Sequence, residues 1–395
     1  MENPVKIILK KGKEQSVKRL HPWIFSGAIR KIYGSPSEGD IVEVFSDLDE
    51  YLATGHYQIG SISVRIFSFD RGEPDFAFWS AKIEKAYRLR QQLQLAGNSQ
   101  INVYRLVNGE GDELPGLIID YYNGIAVMQM HSIGMYRIRE QLSEILTRLY
   151  GNHLYAVYDK SESTIPRKAG LEVKNDFLLG DQHLATVTEN GCTFRVDVKE
   201  GQKTGFFIDQ RDNRNLLSAY CRGKEVLNVF CYTGGFSVYA ARNHASLVHS
   251  VDSSAPAIEL TDKNMALNDI PSGVHQSFCT DAFSYLREIK DRYDLIILDP
   301  PAFAKHNDAL KNALQAYKRI NQAAIEQLRP GGILFTFSCS QVVSRENFRK
   351  SVFAAAANAR RSVAILHQLT QAPDHPVSIF HPEGEYLKGL VLYIA

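Results

Sequence analysis

Between residues 225 and 394 the chain alternates short β-prone runs with longer stretches whose apolar residues recur at helical spacing. The runs fall at 225–230, 247–252, 274–279, 295–298 and 333–337. Leu295–Leu298 is wholly apolar, as a strand buried on both faces of a parallel sheet should be. Helices are predicted between or after these runs at 236–243, 255–268, 282–290, 309–328 and 345–357, and two last strands at 362–369 and 389–394. Strict alternation on this scale predicts an α/β fold, a parallel, doubly wound sheet with right-handed crossovers.

The earlier part of the chain has a different rhythm. Residues 6–9, 41–45, 51–57 and 64–69 read as short strands separated by Gly and Asp turns, which predicts a small, mostly β module. A helix over 76–94 follows, then a strand at 104–108 and a hairpin of 117–121 and 125–130 around Tyr122-Asn123-Gly124. A helix over 135–149 and a strand at 155–160 complete a compact α+β block. A second hairpin, 185–189 and 193–198, turns at Asn190-Gly191 and leads into a helix over 210–220. A chain of 395 residues is too long for one ordinary core. The expected division is 1–73, 74–184 and 185–395.

Composition adds little to this picture, and charge adds something local. The 44% hydrophobic and 23% charged content is that of a globular protein. Lys and Arg (45) nearly cancel Asp and Glu (44), so net charge makes no case for a nucleic-acid partner. Yet Lys6, Lys10, Lys11, Lys13, Lys18, Arg19, Arg30 and Lys31 cluster in the first module beside Trp23 and Phe25. Such an arm can bind phosphates and its aromatic rings can stack bases, although a charge run alone is more often a solvated surface. There is no apolar leader and no run of 18 apolar residues, so a cytoplasmic protein without a membrane span is expected. Five irregularly spaced Cys without a C-x-x-C predict neither a disulfide framework nor a metal site.

The candidate chemistry gathers at the ends of the later strands. After Leu295–Leu298 come Asp299, Pro300, Pro301, Ala302 and Phe303. Two prolines fix φ and remove backbone donors, which ends the ladder and projects a carboxylate from the sheet's carboxyl edge, where such sheets bind ligands. At 225–236 a strand runs into a Gly234-Gly235 turn that opens a helix, letting backbone approach a ligand closely. The turn is not G-x-G-x-x-G, which disfavours a pyrophosphate. Asp252 ends the next strand, 18 residues after Gly234, where a carboxylate suits a ribose diol, and Asp281 and Asp299 follow the third and fourth strands. A nucleoside without pyrophosphate fits this set best, which points to S-adenosylmethionine.

The turn from Asn228 to Phe236, Asp252, Asp281 and Asp299–Phe303 resemble the motifs of class I methyltransferases. Three further segments resemble the bacterial 23S rRNA cytosine-5 methyltransferases of the RlmI type. They are Gly201-Gln-Lys-Thr-Gly-Phe-Phe-Ile-Asp-Gln-Arg211, Ser338-Cys339-Ser340, and the tail containing His375-Pro376 and Pro382-Glu-Gly-Glu-Tyr-Leu-Lys388. The similarity spans nearly the whole chain, and its most specific part is 202–211. It implies a Rossmann-like methyltransferase domain after a PUA-like RNA-binding segment and a middle α+β domain, and it is compatible with a homodimer. It implies S-adenosylmethionine as cofactor and 23S rRNA as partner, with 5-methylcytidine as product.

The same resemblance supplies roles. Cys339 would add as thiolate to C6 of cytosine, making C5 nucleophilic, with Asp299 hydrogen-bonding the base. Ser344 is a plausible N-cap whose helix N-terminus would favour the thiolate. Asn228, Phe230, Tyr232, Thr233, Gly234, Gly235, Asp252, Asp281, Asp209 and Gln210 would line the cofactor site. Pro300, Phe303, Lys203 and Arg211 would face the substrate, Phe303 either stacking on a flipped base or packing the loop. Paired Phe206-Phe207 reads as core. Many RNA cytosine-5 methyltransferases place a second Cys after the proline of this loop; Ala302 stands near there instead, as in the RlmI type. The rivals are a methyltransferase of purine nitrogens, whose loop usually has an aromatic ring directly after the second proline, and an RNA-binding protein without activity.

Overall fold

The computed structural model describes residues 5–166, 172–289 and 292–395. The chain divides into two compact units. One comprises Met1–Val187, Val196–Phe206 and Pro373–Gly384; the other comprises Thr188–Arg195, Phe207–Ala372 and Glu385–Ala395.

The first unit begins with strands β1 (Val5–Leu9), β2 (Trp23–Phe25), β3 (Ile29–Tyr33), β4 (Ile41–Phe45), β5 (Tyr51–Tyr57) and β6 (Ile62–Ser68), with helix α1 (Glu14–Lys18) after β1. They form one sheet in the order β2-β6-β5-β4-β1-β3 around Ile7, Leu9, Ile24, Val42, Val44 and Val64. Strands β2 and β3 were not anticipated. β2 has only three residues, and in β3 the basic pair Arg30-Lys31 is exposed while Ile29 and Ile32 are half-buried, so a strand hides inside what reads as a charged arm.

The unit continues with α2 (Phe76–Gln92), whose N-cap Asp75 accepts from the Phe78 amide at 2.8 Å. Strands β7 (Val103–Asn108), β8 (Leu117–Tyr122), β9 (Ile125–Met130), β10 (Ala156–Asp159) and β11 (Asp176–Leu179) form a second sheet in the order β11-β10-β9-β8-β7. The helix expected over 135–149 is two, α3 (Ile133–Arg137) and α4 (Arg139–Tyr150), divided at Ile138 where ψ turns to 12°. The returning segment Pro373–Gly384 is tied to this unit: the Arg105 amide donates to Asp374 Oδ2 at 3.0 Å and Asn108 Nδ2 to the Pro376 carbonyl at 2.9 Å. Strands β12 (Leu184–Glu189) and β13 (Cys192–Asp197) form the expected hairpin, with Asn190 (φ 49°) and Gly191 (φ 76°) both left-handed as its two-residue turn requires.

The second unit is built on a seven-stranded sheet. Its strands are β14 (Glu225–Val229), β15 (Leu247–Asp252), β16 (His275–Cys279), β17 (Leu295–Leu298), β18 (Gly332–Ser338), β19 (Val363–Leu369) and β20 (Lys388–Ile394), in the order β16-β15-β14-β17-β18-β20-β19. Helices α5 (Arg211–Leu217), α6 (Gly235–Arg242), α7 (Ala255–Leu267), α8 (Ala282–Arg287), α9 (Leu310–Gln327) and α10 (Arg345–Ala359) accompany it. The expected end of α8, at 290, lies outside the described residues. From β16 to β18 all pairs are parallel, as the alternation predicts. The far edge departs from expectation: β20 inserts between β18 and β19 and runs antiparallel to both. Only a short 3-10 turn, Pro382–Gly384, and no α-helix lies between β19 and β20 in the chain, so the helical crossover usual between parallel neighbours is missing. The order reverses at β14, whose neighbours are β15 and β17, and the carboxyl ends beside such a reversal are the ligand-binding edge of an open sheet.

Candidate active site

Strand β14 stops at Val229 because the next residues leave extended backbone. Phe230 (φ 60°), Tyr232 (φ 48°) and Gly234 (φ 78°) are left-handed in alternation. Left-handed backbone is strained for two bulky aromatic residues, and such strain is held where the surroundings fix it. Here Asp252, at the end of β15, accepts the Tyr232 amide at Oδ2 (3.0 Å) and the Ser254 amide at Oδ1 (2.9 Å). Thr261 Oγ1 on α7 donates to the Tyr232 carbonyl at 2.9 Å, and Asn264 Nδ2 to that of Thr233 at 2.8 Å. Behind the turn, buried Asn228 donates to Ser237 Oγ at 2.9 Å, tying β14 to α6. No side chain caps α6. A clamped turn, a helix N-terminus without a side-chain cap and a half-buried carboxylate at the neighbouring strand end together fit an adenosine ligand that lacks a pyrophosphate.

Asp299 follows β17 directly. Its Oδ2 accepts from Gln210 Nε2 at 3.1 Å, and Gln210 Oε1 accepts from Asn213 Nδ2 at 2.6 Å. Asp209 accepts from the Tyr386 hydroxyl at 2.7 Å. Burial, with the Asp209 charge second, raises the Asp299 carboxyl to about 7, against the opposing pull of the Gln210 bond and Arg214. The sheet thus ends in a carboxyl group able to hold or release a proton near neutral pH.

Cys339 follows β18, and β18 pairs directly with β17. Its Sγ lies 3.9 Å from the Pro300 carbonyl, to which it donates, so the thiol rests on the Asp299 loop. Ser340 Oγ donates to the Ala304 carbonyl at 2.6 Å and fixes the other end of that loop. Ser344 is the expected N-cap of α10, accepting the Asn347 amide at 3.1 Å. Among the cysteines, burial pushes the thiols of Cys192 and Cys221 up to about 12 and that of Cys231 higher still, which leaves them as small core residues. Cys279 is exposed and Cys339 half-buried.

Other residues singled out in the sequence are placed elsewhere. Asp281 is exposed, and its Oδ1 caps α8 by accepting the Ser284 amide at 2.8 Å. Arg211, expected to face the substrate, is only 1% exposed and faces Glu189 at 3.6 Å. A guanidinium buried against a carboxylate is committed to holding α5, not to an open groove. Phe303 is half-buried with its ring 4.7 Å from that of Tyr317 on α9, so it packs the loop. Pro300 is buried. The run 202–211 crosses from one unit to the other: Lys203 and Phe206 belong to the first, Phe207–Arg211 to the second. Phe206 is core, whereas half-buried Phe207 meets Tyr232 edge-on at 5.1 Å. Sequence reasoning missed Tyr386 and Lys388, which reach the site from the start of β20. Their only signal was membership of the tail segment quoted for its resemblance.

Among the described residues no helix is long and apolar enough to cross a membrane, and no cluster of three His, Cys, Asp or Glu side chains is arranged to hold a metal ion. The sheet order, the turn after β14 and Asp252 are those of an S-adenosylmethionine-dependent methyltransferase. The family model of that description matches residues 109–382, and a PUA-like domain matches residues 7–69. The ribosomal RNA large subunit methyltransferase I of Photobacterium profundum is 40% identical over 396 residues, covering 98% of this chain and 99% of that one. Its namesake in Escherichia coli O157:H7 is 38% identical over 392 residues, covering 98% of each. The chain belongs to this family of S-adenosylmethionine-dependent methyltransferases. A solved structure from Streptococcus mutans, described as an S-adenosylmethionine-dependent methyltransferase, shares the fold with a TM-score of 0.83 at 23% identity, covering 98% of this chain and 99% of that one. A second solved methyltransferase, complexed with SAH, has a TM-score of 0.84 at 24% identity over 98% of this chain and 99% of that one.

Proposed function

We propose that this protein methylates C5 of one cytidine in 23S ribosomal RNA through a covalent bond between Cys339 and C6. The observation that carries the reading is the seat of the Cys339 thiol on the Pro300 carbonyl, one residue from Asp299. The resemblance and the relatives' names point to the substrate. Asn228, Phe230, Tyr232, Thr233, Gly234, Gly235 and Asp252 would hold the cofactor, with Asp209, Gln210 and Asp281 at its margin. When bound, S-adenosylmethionine supplies an electrophilic methyl group.

The chain's own residues do the rest. The Cys339 thiolate adds to C6, and the displaced electron pair moves through the ring toward N3. Asp299, holding a proton near neutral pH, donates it to N3 and leaves a neutral enamine with nucleophilic C5. Once C5 carries the methyl group, its proton is lost to a base, the S–C6 bond breaks and C5=C6 returns with the thiolate regenerated, while N3 gives its proton back to Asp299. Exposed Lys203 would contact the RNA, and Arg211 would serve its binding only indirectly, by holding α5. The segment 1–73 would bind RNA, ahead of a middle domain to 184 and the catalytic domain from 185.

The test is mass spectrometry of nucleosides from 23S rRNA made with and without the protein. Loss of one 5-methylcytidine is expected. Loss of a methylated purine would replace this reading with the purine one, which Ala302 and the packed ring of Phe303 disfavour. Light scattering of the purified chain decides whether it is a homodimer.

A further inference from the structure

Lys388 is a lysine in an unusual place. It opens β20 and stands directly opposite Ser338 in the antiparallel register with β18. It is only 4% exposed, and its Nζ donates to the Ser340 carbonyl at 2.6 Å. Ser338 and Ser340 flank Cys339, so the ammonium is pinned against the turn that presents the thiol. A buried ammonium with a carbonyl partner is costly unless an anion offsets it. The carboxylate closest in sequence, Glu385, is paired with Arg345 at the start of α10.

We propose that Lys388 is a positioning residue for the covalent step: its buried ammonium stabilises the thiolate of Cys339 and clamps the turn that presents it. The inference rests on the reading of Cys339 as nucleophile. The other groups facing the thiol do not do this work. Tyr317, from α9, accepts from Ser338 Oγ at 2.9 Å and has its hydroxyl pushed up to about 12, so it is neutral. Asp299, at the end of β17, is anionic or neutral and never positive. Arg345 is engaged by Glu385, and the Pro300 carbonyl favours the protonated thiol. Burial lowers the Lys388 ammonium to about 8, while a negative charge on Cys339 would act in the opposite direction.

The experiment is the pH profile of Cys339 alkylation by iodoacetamide, read by mass spectrometry on the Cys339 peptide because exposed Cys279 will also react. Wild type is compared with Lys388→Met, Lys388→Gln and Lys388→Arg in the full chain, each checked for folding by thermal melt. In the neutral variants the midpoint should rise by at least about one pH unit, making alkylation at pH 7 roughly tenfold slower, and Lys388→Arg should retain most of the wild-type profile. An unchanged profile in either folded neutral variant overturns the proposal. So does alkylation in Lys388→Arg as slow as in Lys388→Met, because the charge would then not be what matters. Full methylation by Cys339→Ala would instead overturn the nucleophile reading and, with it, the catalytic purpose of Lys388, whatever the alkylation profile shows.

Discussion

Gln210 Nε2 points at Asp299 Oδ2 from 3.1 Å, and the orientation of that amide is set by Asn213, which donates to its oxygen. The most specific stretch of sequence is therefore wired to the acid after β17. Asp299 needs this donor because burial and the neighbouring Asp209 both work against its charge.

A pH prediction follows with a definite sign. The Asp299 carboxyl is near 7 in the folded protein and near 3.8 in the open chain. The folded state thus binds the extra proton between those values, and the stability this contributes is lost as pH rises through about 7. Asp299→Asn cannot ionise, so the melting temperature of the variant minus that of wild type should increase from pH 5 to pH 8. A difference that stays flat would show that the carboxyl is not held in this way. Methylation by the same variant should fall by about 10²-fold or more, since Asn cannot transfer a proton to N3.

Asp252 holds the turn after β14, and under the proposed function it would also accept from the ribose of the cofactor. Removing the carboxylate takes one acceptor from the Tyr232 amide and one from the Ser254 amide. Asp252→Ala should weaken S-adenosylmethionine binding at least about tenfold by isothermal titration, because it loses both a ribose acceptor and the shape of the turn. Asp252→Asn keeps an oxygen for one amide only and should fall between the two. Equal affinities for all three proteins would place the cofactor elsewhere.

Glu189, at the tip of the β12–β13 hairpin, accepts from Arg214 Nε at 2.9 Å and Nη2 at 2.8 Å and from the Tyr239 hydroxyl at 2.9 Å, all buried. Glu189→Ala would remove the buried carboxylate that Arg214 and Arg211 face, leaving Arg214 its bond to the Phe207 carbonyl. The expected cost is about 3–5 kcal/mol in urea unfolding, large because the buried charges lose their counter-ion. A loss under about 1 kcal/mol would mean that water reaches the pair.

How far the sequence could be read depended on what kind of signal each residue leaves. Leu295–Leu298 and the stop at Asp299 were legible because an apolar run and two prolines act locally. Cys339 was legible by position, since a residue after a strand falls at the sheet's carboxyl edge. The antiparallel insertion of β20 was not, because an apolar run has no direction written in it. Lys388 and Tyr386 were not readable as site residues for a related reason: the β20–β18 register brings Lys388 to Ser340, about 50 positions away, and Tyr386, two residues before β20, meets Asp209, about 180 positions away. Arg211 misled because an Arg in a polar, Gly-rich run reads as exposed, and its partner Glu189 lies on a hairpin whose tip folds with the other end of that run.

Gly234 separates backbone need from ligand need. Its φ of 78° is unfavourable for an L side chain, and an added Cβ would lie 2.6 Å from Thr261 Cγ2. Gly234→Ala should therefore cost about 1–3 kcal/mol even without cofactor. Thr261→Ser removes that methyl group but keeps the hydroxyl that donates to the Tyr232 carbonyl. The double variant should recover the steric part of the loss and keep the roughly 1 kcal/mol due to φ. Thermal melts of the four proteins complete the cycle. Strict additivity of the two substitutions would mean that the close approach to Thr261 is not what makes residue 234 a glycine, and that the backbone angle or the ligand alone demands it.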